Sequence, residues 1–269
     1  MPGDWRWGTI KTSVQFETGL YIVKTAETRA EIEQALRLRH EVFRVEMLNA
    51  PLPSGLDTDR FDPLCDHMIV QTRDTGRVVA TYRLNPSAAG DYYARREFAM
   101  DAVLRLAGRK LEIGRACVAR GHRRSAVFAL LWRGMAAYLR QAKIRYVFGC
   151  SCVPARTSRE LALLYQYFRA RHFSPDILRV QPLPPGIVPA GLLNPAGGRP
   201  ADDEVKRLIP PILQFYLRGG SWVCGEPYYD GEFNSYDFFT LLDVTAAAPA
   251  ARRFLAGVRP AAEEKAGGA

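Results

Sequence analysis

The sequence predicts a single α/β domain with a mixed, mostly antiparallel, twisted sheet flanked by helices. Two observations carry that expectation. Apolar stripes at helical spacing alternate with short β-branched runs in the order strand–helix–strand–strand–strand–helix–strand–helix, followed by a helix and two closing strands. No internal repeat and no linker divides the 269 residues, so one core can absorb the 48% of residues that are apolar.

Residues 1–18 are polar apart from Trp5 and Trp7 and are expected to be flexible. The domain is expected over 19–244, and 245–269, rich in Ala, Pro, Gly and charge, reads as a disordered tail. Leu20–Lys24 reads as a strand. Thr28 with Glu31 forms a capping box for a helix reaching about Met47, with its stripe at Ile32, Leu36, Phe43 and Met47. Arg39 falls on that same stripe and needs a carboxylate partner. Asn49–Pro63 is a loop. His67–Thr72 and Arg77–Leu84 read as strands joined by Asp74-Thr75-Gly76, and Lys110–Val118 as a third. Arg123–Gln141 and Thr157–Arg169 have helical patterns around the strand Arg145–Cys150. Pro210-Pro211 should break the helix over Asp202–Leu217, before Ser221–Cys224 and Tyr236–Leu242 close the sheet.

Bulk charge narrows the partners. The net charge of +9, from 37 basic and 28 acidic residues, attracts acidic proteins and anionic membrane surfaces. No zinc-finger spacing or RNA-binding aromatic motif accompanies it, so nucleic acid is not expected. The start of the chain shows no secretion signal, and no apolar run reaches the roughly 18 residues of a membrane span. The expected location is the cytoplasm, with peripheral contact at the inner membrane face. Trp5, Trp7 and the apolar, Pro/Gly-rich stretch 183–200 are candidates for that contact. The five cysteines lack a C-x-x-C pair and read as reduced thiols, with Cys150 and Cys152 in the core. The four histidines make no metal pattern, so no metal is expected, and His67 reads as a partly buried strand residue.

The strands carry charges that folding alone does not explain. Arg83 sits in Arg77-Val-Val-Ala-Thr-Tyr-Arg83-Leu84, and Glu112 and Arg115 sit in Leu111-Glu112-Ile-Gly114-Arg115-Ala-Cys-Val118. An ion taken out of water costs several kcal/mol or more unless it is paired. Glu112 and Arg115, three apart, point to opposite faces of a regular strand. Either they serve separate partners, or a bulge at Gly114 brings them to one side.

The ordered set Arg39-x-x-x-Phe43, Asp59-x-x-Asp62, Arg83 and Glu112-x-x-Arg115 resembles the signature of acyl-homoserine lactone synthases, acyltransferases of the GNAT fold. From Ile209-Pro-Pro-Ile-Leu through Tyr216-Leu-Arg-Gly-Gly and Val223-Cys-Gly-Glu-Pro to Asp237-Phe-Phe, the chain resembles the acyl-ACP:ornithine N-acyltransferases. The resemblance spans roughly residues 20–243. It implies transfer of a 3-hydroxyacyl chain from acyl carrier protein to the α-amino group of an amino acid, ornithine favoured, in the first step of ornithine lipid synthesis. No bound cofactor is implied beyond the phosphopantetheine arm of the donor. Glu112 is then the candidate base, with Arg115 beside it on the catalytic strand. Asp59 and Asp62 are candidates for a cationic substrate, Arg39 and Arg83 for orienting those carboxylates, and Phe43 for the pocket. In the resembling synthases the charged cluster is also an ion-pair web holding the N-terminal lobe, so a structural role for Arg39 stays open.

The residues before the second helix support a carrier-protein donor. Coenzyme A-dependent relatives wrap a pyrophosphate in a glycine-rich loop at a helix N-terminus. Here the loop reads Arg120-Gly-His-Arg123-Arg124-Ser-Ala, with no glycine between Gly121 and Gly134. Arg120, Arg123 and Arg124 are candidates for the single phosphodiester of phosphopantetheine. Two alternatives remain: a synthase acting on glycine or tyrosine, and a non-catalytic basic module binding anionic lipid or nucleic acid. The second does not need charges inside strands.

Overall fold

The computed structural model describes residues 11–87, 90–123, 126–194 and 202–256. Trp5, Trp7, Arg124, residues 195–200 and the end of the tail lie outside them.

In chain order, β1 (Gln15–Thr18) and β2 (Tyr21–Thr25) precede α1 (Arg29–Arg39), which continues as a π-helical segment, His40–Met47. β3 (Asp66–Thr72), β4 (Val78–Asn85), the short β5 (Phe98–Ala99), α2 (Asp101–Leu104) and β6 (Arg109–Val118) follow. Next come α3 (Val127–Gln141), β7 (Ile144–Val153), α4 (Ser158–Arg171), β8 (Gln181–Pro182), α5 (Ala190–Leu193), α6 (Asp202–Leu208) and α7 (Pro211–Arg218). The chain closes with β9 (Trp222–Val223), β10 (Tyr228–Asp230), β11 (Ser235–Asp243) and α8 (Pro249–Ala256). The expected order of elements holds, and the Pro210-Pro211 break separates α6 from α7.

The described residues form two compact units: 11–87, 113–144 and 253–256 in the first, and 90–112, 145–194 and 202–252 in the second. Strand β6 begins in the second unit and ends in the first.

The first unit is an antiparallel run β1-β2-β3-β4, with β6 next to β4. Every residue of β4 is buried, and so are six of the seven in β3, because α1 and α3 cover these strands. Continuous burial explains their apolar runs. Thr28 caps α1 as expected, accepting from the Glu31 N–H while the Glu31 side chain accepts from the Thr28 N–H.

Two expectations change in this unit. The segment read as flexible includes β1, and Val14 and Phe16 are core residues. Asp66 anchors its start by accepting the Lys11 and Thr12 backbone N–H groups. The helical stripe also fails after Arg39. π-Helical winding adds a residue to the turn and rotates later positions off the α-helical face. His40 and Val42 are therefore buried, while Met47 is 57% exposed.

In the second unit, β7, β11 and β10 are antiparallel, with β9 also on β11. Successive side chains of β11 leave opposite faces. Phe238 joins Val153, Leu161, Phe168 and Leu213 in one core, under α4 and α7. Phe239 joins Tyr92, Phe98 and Phe148 in another, with half-buried Cys150 packed against it. All five cysteines are free, as expected, but Cys152 is exposed rather than core. The sequence assigned 245–269 to a tail, whereas α8 forms within it and buries Leu255. Among the described residues no helix is long and apolar enough to cross a membrane.

Gly134, inside α3, marks how closely that helix approaches the sheet. A Cβ there would lie 2.7 Å from Val23 Cγ1 and 2.8 Å from Met68 Sδ. Alanine would gain about 1 kcal/mol of helix propensity but overpack the contact by about 1–3 kcal/mol. The expected result for Gly134→Ala is a net loss of stability near 1 kcal/mol by urea unfolding. An unchanged or raised midpoint would show that the helix lifts freely.

Candidate active site

Arg39 ends α1 with its side chain 1% exposed. Its Nε donates to Asp57 at 3.0 Å and its Nη1 to Asp62 at 2.6 Å. Arg83, from β4, donates Nη1 to Asp59 at 2.6 Å and to Asp62 at 3.1 Å. Arg115, from β6, reaches Asp59 at 3.3 Å. Arg44 reaches the other oxygen of Asp57 at 3.0 Å. The web is assembled from α1, the π-helical segment, the loop after it, β4 and β6, all within the first unit.

Five of the sequence-predicted residues thus come together: Arg39, Asp59, Asp62, Arg83 and Arg115. Phe43 sits half-buried in the π-helical segment. Asp57 and Arg44 belong to the web although the sequence reading missed them. Arg39 and Arg44 are five residues apart, the spacing of a π-helix, so one turn presents both to Asp57. An α-helical template places them on different faces.

The carboxylates do not await a cation. Asp62 Oδ1 accepts from Arg39 and Arg83, and its Oδ2 accepts the Asp59 N–H at 2.7 Å. Asp59 Oδ1 also accepts the Phe61 N–H at 2.9 Å. Burial alone would raise the Asp62 carboxyl, but Arg39 and Arg83 outweigh it and hold it far below the usual range. Asp57 and Asp59 are lowered in the same way, against burial, chiefly by Arg39 and Arg83 respectively. Asp59 and Asp62 were expected to bind a cationic substrate; they are engaged by arginine instead. In these pairs four guanidinium groups face three carboxylates.

His67, on β3, is fully buried rather than partly so. Its Nε2 lies 3.3 Å from the Asp62 carbonyl oxygen. Burial lowers its pKa to about 4, against the pull of Asp62, so the ring is neutral near neutral pH.

Strand β6 carries the two remaining candidates, one in each unit. In the second unit the buried Glu112 carboxylate accepts the Tyr93 N–H at 2.8 Å and the Ala94 N–H at 2.7 Å. It thereby fixes the turn Tyr93–Arg96. In the first unit Arg115 adopts φ +54°. A left-handed residue inside a strand is the signature of a bulge-type irregularity. The break expected at Gly114 is therefore carried by the arginine, at a cost of about 1 kcal/mol or more. A Cβ on Gly114 would meet nothing within 4 Å. Glu112 and Arg115 have different partners, backbone amides for one and Asp59 for the other.

Before α3, Arg120 is exposed. Arg123 donates to Glu46 at 2.6 Å and to the Val118 carbonyl at 3.0 Å. The first turn of α3 has no side-chain cap and no acidic residue.

This architecture has known relatives. Residues 38–133 match the family model described as an acetyltransferase (GNAT) domain. The L-ornithine N(alpha)-acyltransferase of Rhodobacter capsulatus is 30% identical over 248 residues, 87% of this chain and 94% of that protein. The protein of the same name from Brucella abortus is 31% identical over 245 residues, covering 82% and 84%. Among solved structures, the AHL synthase LasI superposes with a TM-score of 0.51 at 12% identity, covering 89% of this chain and 96% of that one. FeeM, an N-acyl amino acid synthase from uncultured soil microbes, gives 0.51 at 12% identity, covering 87% and 98%. The chain is an acyltransferase of the GNAT fold. Within that class it belongs to the L-ornithine Nα-acyltransferase family.

The buried histidine predicts an acid response. Unfolded, His67 takes up a proton below its ordinary value of 6.5; folded, it stays neutral to about 4. Between those values the unfolded state binds more protons, so stability falls as pH falls, by roughly 3 kcal/mol in all. His67→Gln should flatten that slope between pH 6.5 and 4 in urea titrations. A slope identical to wild type would assign the acid loss elsewhere.

Proposed function

We propose that this protein moves a 3-hydroxyacyl chain from acyl carrier protein to the α-amino group of L-ornithine, the first step of ornithine lipid synthesis. The observation that carries the reading is kinship: relatives named L-ornithine N(alpha)-acyltransferase are 30–31% identical over more than four-fifths of the chain.

The chemistry is direct transfer. The α-amine gives up a proton and attacks the thioester carbonyl. The tetrahedral intermediate collapses to an amide, the C–S bond breaks, and the phosphopantetheine thiolate leaves and takes up a proton. Glu112 is the candidate base, acting directly or through a water; such a group contributes roughly 10²–10⁴-fold. Its two amide bonds hold the carboxylate in one orientation. A backbone N–H at the irregular stretch of β6 is the candidate oxyanion donor, since a bulge frees an amide from the ladder. The guanidinium groups of the arginine web suit the carboxylate of an amino acid better than its ammonium group.

The donor assignment rests on charge and shape. The exposed guanidinium groups of Arg120 and Arg123, before α3, suit one phosphodiester. The net charge of +9 favours an acidic carrier protein. It also favours peripheral contact with anionic lipid on the cytoplasmic face, where an amphiphilic product would be released.

Purified protein mixed with 3-hydroxyacyl carrier protein and L-ornithine should yield the mass of the N-acyl product; no product with any amino acid would remove the reading. Glu112→Gln should lower kcat by roughly 10²-fold or more and abolish the acidic limb of the pH–rate profile. One amide contact is lost with the change, so a stability loss of about 1–2 kcal/mol is expected alongside. Lower stability with normal turnover would make Glu112 a structural clamp. Arg120→Glu should raise KM for the acyl carrier protein about tenfold and leave KM for ornithine unchanged. Equal effects on both would place Arg120 elsewhere.

A further inference from the structure

A second group of acids lies apart from the arginine web, wholly within the second unit. Glu97 follows the turn Tyr93–Arg96, Cys150 is on β7 and Asp237 on β11. One ligand atom from each, two carboxylate oxygens and the Cys150 Sγ, lie within 4.8 Å of one another. On β11 and β7, Cys150 pairs with Phe239, one pleat along from Asp237, so the three polar groups share a face with the aromatic core. Glu97 is 4% exposed, yet its Oε2 is buried with no hydrogen-bond partner among the described residues. A buried carboxylate oxygen without a donor is destabilising.

We propose that Glu97, Asp237 and Cys150 form the subsite for the side-chain ammonium group of the amine substrate. This rests on the reading that the substrate is ornithine, whose second amine must stay charged while the first reacts. An ammonium group has three N–H donors. Two meet the carboxylates of Glu97 and Asp237, and the third meets the Cys150 sulfur, a weak acceptor. The cation gives Oε2 of Glu97 the donor it lacks and offsets two acids held close together in an apolar setting.

The neighbourhood fits the geometry of such a substrate. Glu112, the candidate base, holds the turn that leads into Glu97, and its charge acts on the Cys150 thiol. A diamino acid with its reacting amine at Glu112 would carry its second amine towards the cluster. A divalent metal suits the cluster less well. It needs the Cys150 thiolate, whereas burial and the Glu97 and Asp237 charges push that thiol well above its ordinary value. Burial likewise raises the Glu97 carboxyl, against the opposing side-chain hydrogen bonds with Cys150, Tyr93 and Asp237.

The test compares L-ornithine with L-norvaline, which has the same chain without the second amine. Glu97→Gln keeps the shape and removes a charge that burial disfavours, so it should fold with an unchanged or higher thermal midpoint. With saturating acyl carrier protein, Glu97→Gln and Asp237→Asn should raise KM for ornithine about 10- to 100-fold while kcat/KM for norvaline stays within about threefold. An unchanged KM for ornithine, or equal losses on both substrates, overturns the subsite. So does zinc binding that the variants abolish without affecting ornithine. If the wild-type protein acylates neither amine, the reading of function fails, and calorimetry of the enzyme alone decides the subsite separately. Binding of ornithine tighter than norvaline, lost in Glu97→Gln, supports it; equal binding of the two overturns it.

Discussion

The first unit depends on keeping the Arg39 guanidinium paired. A cation this deeply buried costs several kcal/mol unless both its charge and its N–H groups are met. Arg39 reaches Asp57 and Asp62 together, and that demand organises the surrounding chain. The loop after the π-helical segment must return to the end of α1 to deliver the aspartates. β4 and β6 must then supply Arg83 and Arg115, so that the carboxylates are not left with excess negative charge. Removing any one member strands an ion. The web is for this reason a determinant of one conformation more than a source of net stability.

Strand β6 links this scaffold to chemistry through the chain itself. Glu112 and Arg115 are three residues apart, yet each is tied down by different means, one by a pair of backbone amides and the other by Asp59. The left-handed backbone at Arg115 interrupts the strand between two fixed points. The second unit is different in character. Its acids at Glu97 and Asp237 sit in an aromatic core instead of an arginine web, which makes them receptive to a cation brought by a substrate.

Much of this was legible in the sequence because charges within apolar runs are energetically conspicuous. Arg39 on a buried stripe, Arg83 in a strand and the aspartates in a loop called for one another, and they meet. Arg44 and Asp57 were not legible. Their link depends on a π-helical turn, which no α-helical or strand period detects. The Glu97–Cys150–Asp237 group was equally hidden, since its members lie far apart along the chain and share no spacing.

The sequence by itself determined the order of the main elements, the break at Pro210-Pro211, five members of the central ion web (Arg39, Asp59, Asp62, Arg83 and Arg115) and the absence of a glycine-rich phosphate loop. Each of these is a local or pairwise constraint, written in residue type and period. Only the tertiary structure decided which carboxylates stay available. It closed Asp59 and Asp62 with arginines, tied Glu112 to two amides and left a buried oxygen of Glu97 without a donor. Hydrogen-bond saturation is a property of every neighbour at once, so it appears only when the chain has folded around the group.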